Sequence, residues 1–203
     1  MTQLLSVHPT HPQKRLLNLA ADEIRRGGLV VYPTDTTYAI GCHIGDKGAL
    51  ERIVRLRRLR DDHQFTLMCR DLSDLGTYAR VDNASYRLLR RYTPGPFTFV
   101  LQATREVPRR LVHPKRRTIG LRVPANQIAR ELLETLAEPL MTTTLRLPED
   151  EFPLQEASQI LEKVGRLVDV VIDGGMGGLD PSTIVDLTES VAQVTRQGVG
   201  VFD

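Results

Sequence analysis

The chain has 203 residues, 41% hydrophobic and 26% charged, with a formal net charge of +2 at pH 7. Such a chain can bury one substantial core; it carries no apolar run near the ~18 residues of a membrane span, and residues 1–12 lack the basic-then-apolar order of a signal peptide. Cys42 and Cys69 fit no metal or redox spacing, so the composition predicts a reduced, cytoplasmic protein.

Pro12 stands where the first residue of a helix would. Leu16, Leu17, Ala20, Ala21 and Ile24 then recur at helical spacing until Gly27-Gly28 ends the run. Leu29 to Val31 is an apolar, β-branched strand, ended by Pro33, which has no N–H to donate. Thr34, Asp35, Thr36, Thr37 and Tyr38 follow at the strand's C-terminal end, the edge where open α/β sheets bind ligands. The same five residues also suit a turn that satisfies only its own backbone. Asp46 caps a second helix that turns Leu50, Ile53 and Val54 inward and carries Arg52, Arg55, Arg57 and Arg58.

Gln64 to Cys69 alternates Phe65, Leu67 and Cys69 inward as a strand. Asp82 caps a helix to about Tyr92, and a Pro94-Gly95-Pro96 turn leads into the strand Phe97 to Leu101. Residues 105–117 form a basic loop or hairpin broken by two prolines, before the strand Thr118 to Val123. Asn126 opens an amphipathic helix with Ile128, Leu132, Leu133 and Leu136 on one face. The strand Leu140 to Thr144, an acidic exposed excursion at 148–153 and a helix from Gln155 to Val164 follow. Leu167 to Ile172, Thr183 to Leu187 and Val191 to Arg196 are strands, with the paired glycines at 174–175 and 177–178 making a turn. Strands separated by helices predict an α/β layer fold with a mixed sheet.

Charge is unevenly spread. Residues 1–122 hold 22 Lys/Arg against 11 Asp/Glu, whereas residues 123–203 hold 5 against 14, and arginine outnumbers lysine 23 to 4. Guanidinium forks suit phosphate and carboxylate, although most such charges simply sit in solvent.

Pro33-Thr-Asp-Thr-Thr-Tyr-Ala-Ile-Gly41 resembles the signature of the YrdC family, whose characterised enzymes are threonylcarbamoyl-AMP synthases. The blocks Pro94 to Leu101, Thr118 to Pro124, Ser182 to Leu187 and Arg196 to Gly198 resemble the same family in the same order. Ala39, Cys42 after Gly41, and Phe65 to Leu72 look like its YciO-type branch. The resemblance implies a YrdC-like twisted open mixed sheet with flanking helices around a large basic cleft. It also implies a single domain over residues 1–203, without the extra C-terminal domain of longer members. The implied reaction joins threonine and bicarbonate as a carbamate and adenylates it with ATP, giving threonylcarbamoyl-AMP and pyrophosphate for tRNA modification. Mg²⁺ would ride on the nucleotide, with no metal held by the protein. The alternative is a YciO-type protein that binds nucleotide (ATP or AMP) and double-stranded RNA or tRNA with little or no synthase activity. No membrane partner is expected.

The resemblance also assigns residues. Arg55 and Arg57 match a Lys-x-Arg motif that lies against the triphosphate, with arginine in the lysine position; the bland alternative is a solvated basic helix face. Residues two apart share no helix face, so one of them must stand at a helix end if both reach the cleft. Thr34 and Tyr38 are candidates to hold the amino acid, through a hydroxyl and a phenol. His63 falls where some members place a polar residue beside threonine, and equally suits a surface loop. Arg122 resembles the arginine that pairs with the threonine carboxylate, against a strand-end ion pair. Ser182 and Arg196 resemble nucleotide contacts. Thr144 keeps the hydroxyl of a Ser-x-Asn motif, whereas Arg146 replaces its asparagine with a donor-only cation; Glu149 to Glu151 offer to neutralise it outside the cleft. Asp186, in a buried strand, needs a partner and reads as structural.

Overall fold

The structure, a computed structural model, describes residues 2–203; Met1, the first residue of the expected domain, lies outside them. Ten strands form one mixed sheet: β1 (Gln3–Ser6), β2 (Val30–Tyr32), β3 (Ala39–His43), β4 (Thr66–Met68), β5 (Phe97–Gln102), β6 (Thr118–Arg122), β7 (Leu140–Thr144), β8 (Val170–Asp173), β9 (Thr183–Asp186) and β10 (Gln193–Arg196). Their spatial order is β1-β8-β2-β3-β7-β4-β6-β5-β9-β10. The β1–β8, β2–β8, β4–β6 and β5–β9 pairs are parallel and the others antiparallel.

Six helices cover the sheet unequally: α1 (Lys14–Arg25), α2 (Lys47–Arg57), α3 (Leu72–Tyr78), α4 (Asn83–Tyr92), α5 (Gln127–Leu136) and α6 (Ala157–Val164). Strand side chains alternate between faces. On one face Val31, Ile40, Leu67, Phe99, Leu121, Met141 and Val185 join a core with residues of α2, α3, α4 and α6. On the other, Val30, Tyr32, Met68, Leu140 and Ile172 pack under α1 and α5. Those two helices lie against each other and cover the β1-β8-β2-β3 side, reaching beyond it only to Leu140 at the start of β7 and Met68 at the end of β4. The same face of β7, β4, β6, β5 and β9 carries Thr142, Thr66, Arg122, Thr98 and Ile184, and these line an open cleft. One layer of helices is therefore missing over half the sheet, and that gap is the cleft.

Several elements depart from the sequence reading. Pro12 precedes the helix rather than starting it: Gln13 is the N-cap and Lys14 the first residue. Neither β1 nor β3 has a sequence counterpart. β3 is buried on both faces from Ala39 to Cys42, so it shows no alternation. α3 was hidden by its length of 7 residues and by Gly76, although Asp71 caps it by accepting from the amides of Ser73 and Asp74. Residues 103–117 form an excursion between the antiparallel strands β5 and β6, with one 3₁₀ turn at Arg109–Leu111. The strand expected from Leu167 starts at Val170, after a 3₁₀ turn at Gly165–Leu167.

Candidate functional site

The cleft corner is built by the turn after β2. Thr34 Oγ1 donates to the Thr37 carbonyl at 2.6 Å and accepts from the Thr36 amide at 3.2 Å, so this hydroxyl closes the turn and also lines the cleft. The turn packs closely on the glycine loop, where the Gly178 amide donates to Thr36 O at 2.7 Å. A Cβ at Gly178 would lie 2.4 Å from that oxygen, so only glycine permits the approach.

Arg122 enters from the end of β6. Its guanidinium pairs with Asp35 and donates to Thr36 Oγ1 at 3.0 Å. The strand-end ion pair weighed in the sequence is thus present, with the two side chains only 8% and 12% exposed. The arginine expected for a substrate carboxylate already has a carboxylate of its own. Yet Arg122 Nε and Asp35 Oδ2 are buried without partners, so the pair keeps one donor and one acceptor in reserve.

Facing them, Arg57 is the last residue of α2, ahead of Arg58 in the left-handed conformation at φ 48°. Its guanidinium donates to Thr143 Oγ1 at 2.8 Å and to the Thr144 carbonyl, while Nε has no partner. Burial, reinforced by Arg146, pulls its pKa down to about 10, which still leaves a full cation at neutral pH. Arg55 does not share this wall. It is exposed on α2 and lines neither cavity, because two residues of helix turn it about 200° away.

The third cation is Arg196, from β10. It donates to Ser182 O at 2.7 Å and to Ser182 Oγ at 3.2 Å, and Ser182 Oγ shares a hydrogen bond of 2.8 Å with Thr98 Oγ1. Burial lowers its pKa, and Arg122 adds to the effect. Thr144 and His63 complete the walls. The His63 ring lies edge-on to Phe65 at 5.1 Å, and burial, then Arg57, lowers its pKa, so it is neutral at pH 7. The cleft thus gathers Thr34, His63, Arg122, Thr144, Ser182 and Arg196, with Arg57 bonded to its rim.

Besides Arg55, two expected members stand elsewhere. The Tyr38 ring is fully buried behind the turn, and its hydroxyl donates to Gly175 O at 2.7 Å and accepts from the Gly174 amide at 3.2 Å. This phenol secures the glycine loop and does not reach the cleft. Tyr38→Phe is therefore expected to cost about 1 kcal/mol of stability and to leave threonine affinity unchanged; calorimetry with L-threonine beside urea unfolding checks both. Arg146 is exposed and points its Nε toward Asp150 O at 3.5 Å. The acidic excursion does not neutralise it through a side chain: Glu149 pairs with Arg58, and Asp150 with Lys163. Asp186 has the partners it required, Arg116 and the Thr188 hydroxyl.

Sequence reasoning put Asp35 at the ligand edge without a role of its own, and missed Thr66, Thr98 and Thr142. Thr98 was findable, because Phe97 and Phe99 on either side face the core. Thr66 is matched across the ladder by Gly120, whose Cβ would lie 2.6 Å from Thr66 Oγ1; glycine there keeps the cleft floor open. Among the described residues, no group of three or more His, Cys, Asp or Glu could hold a metal ion.

Residues 22–198 match the Sua5/YciO/YrdC family model, described as telomere recombination. The chain is 52% identical over 200 residues to YciO of Escherichia coli (strain K12), covering 98% of this chain and 97% of that protein. The crystal structure of E. coli YciO superposes with a TM-score of 0.96 over 99% of this chain and 98% of that one. The threonylcarbamoyl-AMP synthase of Nitrosococcus oceani (strain ATCC 19707) is 34% identical over 172 residues, covering 84% of this chain and 92% of that protein. The crystal structure of P. abyssi Sua5 complexed with L-threonine is 28% identical with a TM-score of 0.89, covering 97% of this chain and 58% of that one. The chain belongs to the Sua5/YciO/YrdC family.

Proposed function

We propose that the cleft binds ATP and L-threonine and carries out threonylcarbamoyl-AMP synthesis. The observation that carries this reading is that Arg122 and Arg196 line a cleft with no carboxylate in its lining, with Arg57 bonded to the rim and Asp35 paired to Arg122 at the corner. Two of these cations have no acidic partner, which suits a substrate richer in negative charge than the pocket itself.

In this reading the threonine amine and bicarbonate condense to a carbamate with loss of water. A carbamate oxygen then attacks the α-phosphorus of ATP. The bond from that phosphorus to the bridging oxygen breaks, and pyrophosphate leaves with the electron pair. No side-chain nucleophile is required. The protein's contribution is positioning and cations placed against charge that builds on the phosphates. Arg57 and Arg196 take the phosphates, Ser182 and Thr144 orient the nucleotide, and Arg122 and Thr34 hold the amino acid, with His63 beside it. The Asp35 Oδ2 acceptor suits an ammonium or amine hydrogen. Mg²⁺ arrives on the nucleotide.

The cleft volume is about 190 Å³, below the ~300 Å³ at which pockets for drug-sized ligands begin. Arg196, folded back on Ser182, has to swing out as the nucleotide enters. That closure also favours a second reading, a nucleotide-binding protein whose turnover is slow because its own arginine occupies the phosphate position. Formation of labelled adenylate from ATP labelled at the α-phosphorus separates the two. Synthesis predicts a product that needs both threonine and bicarbonate. ATP binding without that product leaves the second reading, and absence of ATP binding defeats both.

A further inference from the structure

A second cavity of about 1230 Å³, larger than the threonine-lined cleft, adjoins it. It lies at the end of the sheet where β5 leaves and β4 and β6 enter. Its walls come from residues 61–65, from Arg80 after α3 and from the excursion between β5 and β6. Arg80, Arg105, Arg109, Arg110 and Arg117 line it, and Asp61 is the one acidic residue in its lining. Some arginines elsewhere find carboxylates, among them Arg52 with Asp169, Arg58 with Glu149, Arg91 with Asp203 and Arg116 with Asp186; none of the five in this lining does. Arg110 donates to the Gly45 carbonyl, and among the described residues the other four guanidinium groups have no hydrogen-bonded or ionic partner. Five exposed like charges around one hollow make a local positive field that attracts an anionic occupant. Phe65, Val107 and Val112 add apolar surface to the same hollow.

We propose that this cavity is a second ligand site, for a small molecule that joins linked phosphate groups to a flat apolar ring, of the nucleoside di- or triphosphate class. Guanidinium forks match phosphate oxygens two at a time, and the apolar patch matches a base. The volume exceeds the roughly 300–1000 Å³ of pockets for drug-sized ligands, which leaves room for a nucleotide. Phe65, Val107 and Val112 in the lining offer a face to a base, which a duplex keeps stacked and paired, so the small ligand uses more of the lining than an RNA backbone would. His63 belongs to the walls of both cavities, and the two sites therefore adjoin.

Titration calorimetry with ATP and with inorganic triphosphate tests this in the whole protein. The variants are Arg105→Gln/Arg109→Gln/Arg117→Gln, all exposed positions, and Arg196→Ala. Wild type is expected to bind two ATP. The triple variant should lose one event or weaken it by tenfold or more, as expected for lost charge-assisted phosphate contacts, and Arg196→Ala should retain that event. Inorganic triphosphate should compete for it. A single ATP event in wild type that the triple variant removes also supports the second site, and then counts against the proposed cleft chemistry. A single event removed by Arg196→Ala and untouched by the triple variant overturns the proposal. So does a triple variant that binds ATP as wild type does and loses only binding of a short RNA duplex. Unchanged thermal unfolding of the triple variant excludes a folding defect.

Discussion

Arg122→Leu is expected to lower the unfolding free energy by about 3–5 kcal/mol, the usual consequence of leaving one member of a buried ion pair alone. Asp35 would keep its charge inside the corner of the cleft with hydroxyl neighbours and little water, since its side chain is only 12% exposed. For a domain whose total stability is ~5–15 kcal/mol, this is a large fraction. Adding Asp35→Asn to Arg122→Leu should return most of the loss, because the unpaired charge is then gone. Urea unfolding of the two single variants and the double variant completes the cycle. If Arg122→Leu costs under about 1 kcal/mol, the pair behaves as a surface salt bridge. It then does not fix the turn that carries Thr34.

The second large effect falls on turnover. If the cleft performs the proposed adenylation, Arg57→Met should reduce kcat by about 10²–10³-fold, the range seen when one preorganised donor to developing charge is removed. Arg57→Lys should recover part of it, since charge returns without the fork that holds Thr143 and the Thr144 carbonyl. Arg55→Ala should stay close to wild type, because Arg55 is exposed and outside the cleft. Pyrophosphate release with ATP, threonine and bicarbonate measures all three. Equal losses at positions 55 and 57 would mean that the helix end rearranges on binding and that both arginines reach the triphosphate.

The contrast between these two arginines shows what was legible in the sequence. The spacing of Arg55 and Arg57 already required that only one could share a wall unless the helix ended between them. The structure ends the helix at Arg57 and chooses it. Alternation gave Phe65, Leu67 and Cys69 correctly as the core-facing residues at β4, and put Thr66 on the other face of the sheet, the one that carries the cleft. Which part of that face lay bare was not legible, because it depends on where α1 and α5 pack, a tertiary fact. Tyr38 misled for a similar reason. A phenol at a polar turn suggests a ligand contact, and only the path of the glycine loop showed that Gly174 and Gly175 take up the hydroxyl. The Arg122–Asp35 pair was within reach of the sequence, since a buried arginine needs a counter-charge and Asp35 adjoins Thr34, the other residue assigned to the amino acid. The larger cavity was hidden altogether. Its arginines come from segments up to 37 positions apart (80 to 117), and residues 105–117 showed only basic composition.

The most direct test of the account is a crystal structure of the protein soaked with L-threonine and AMP. The account predicts the amino acid beside Arg122, Thr34 and His63, and the phosphate on Arg196, with the Arg196 side chain moved off Ser182. Both ligands bound away from these residues, with Arg196 still folded onto Ser182, would contradict it.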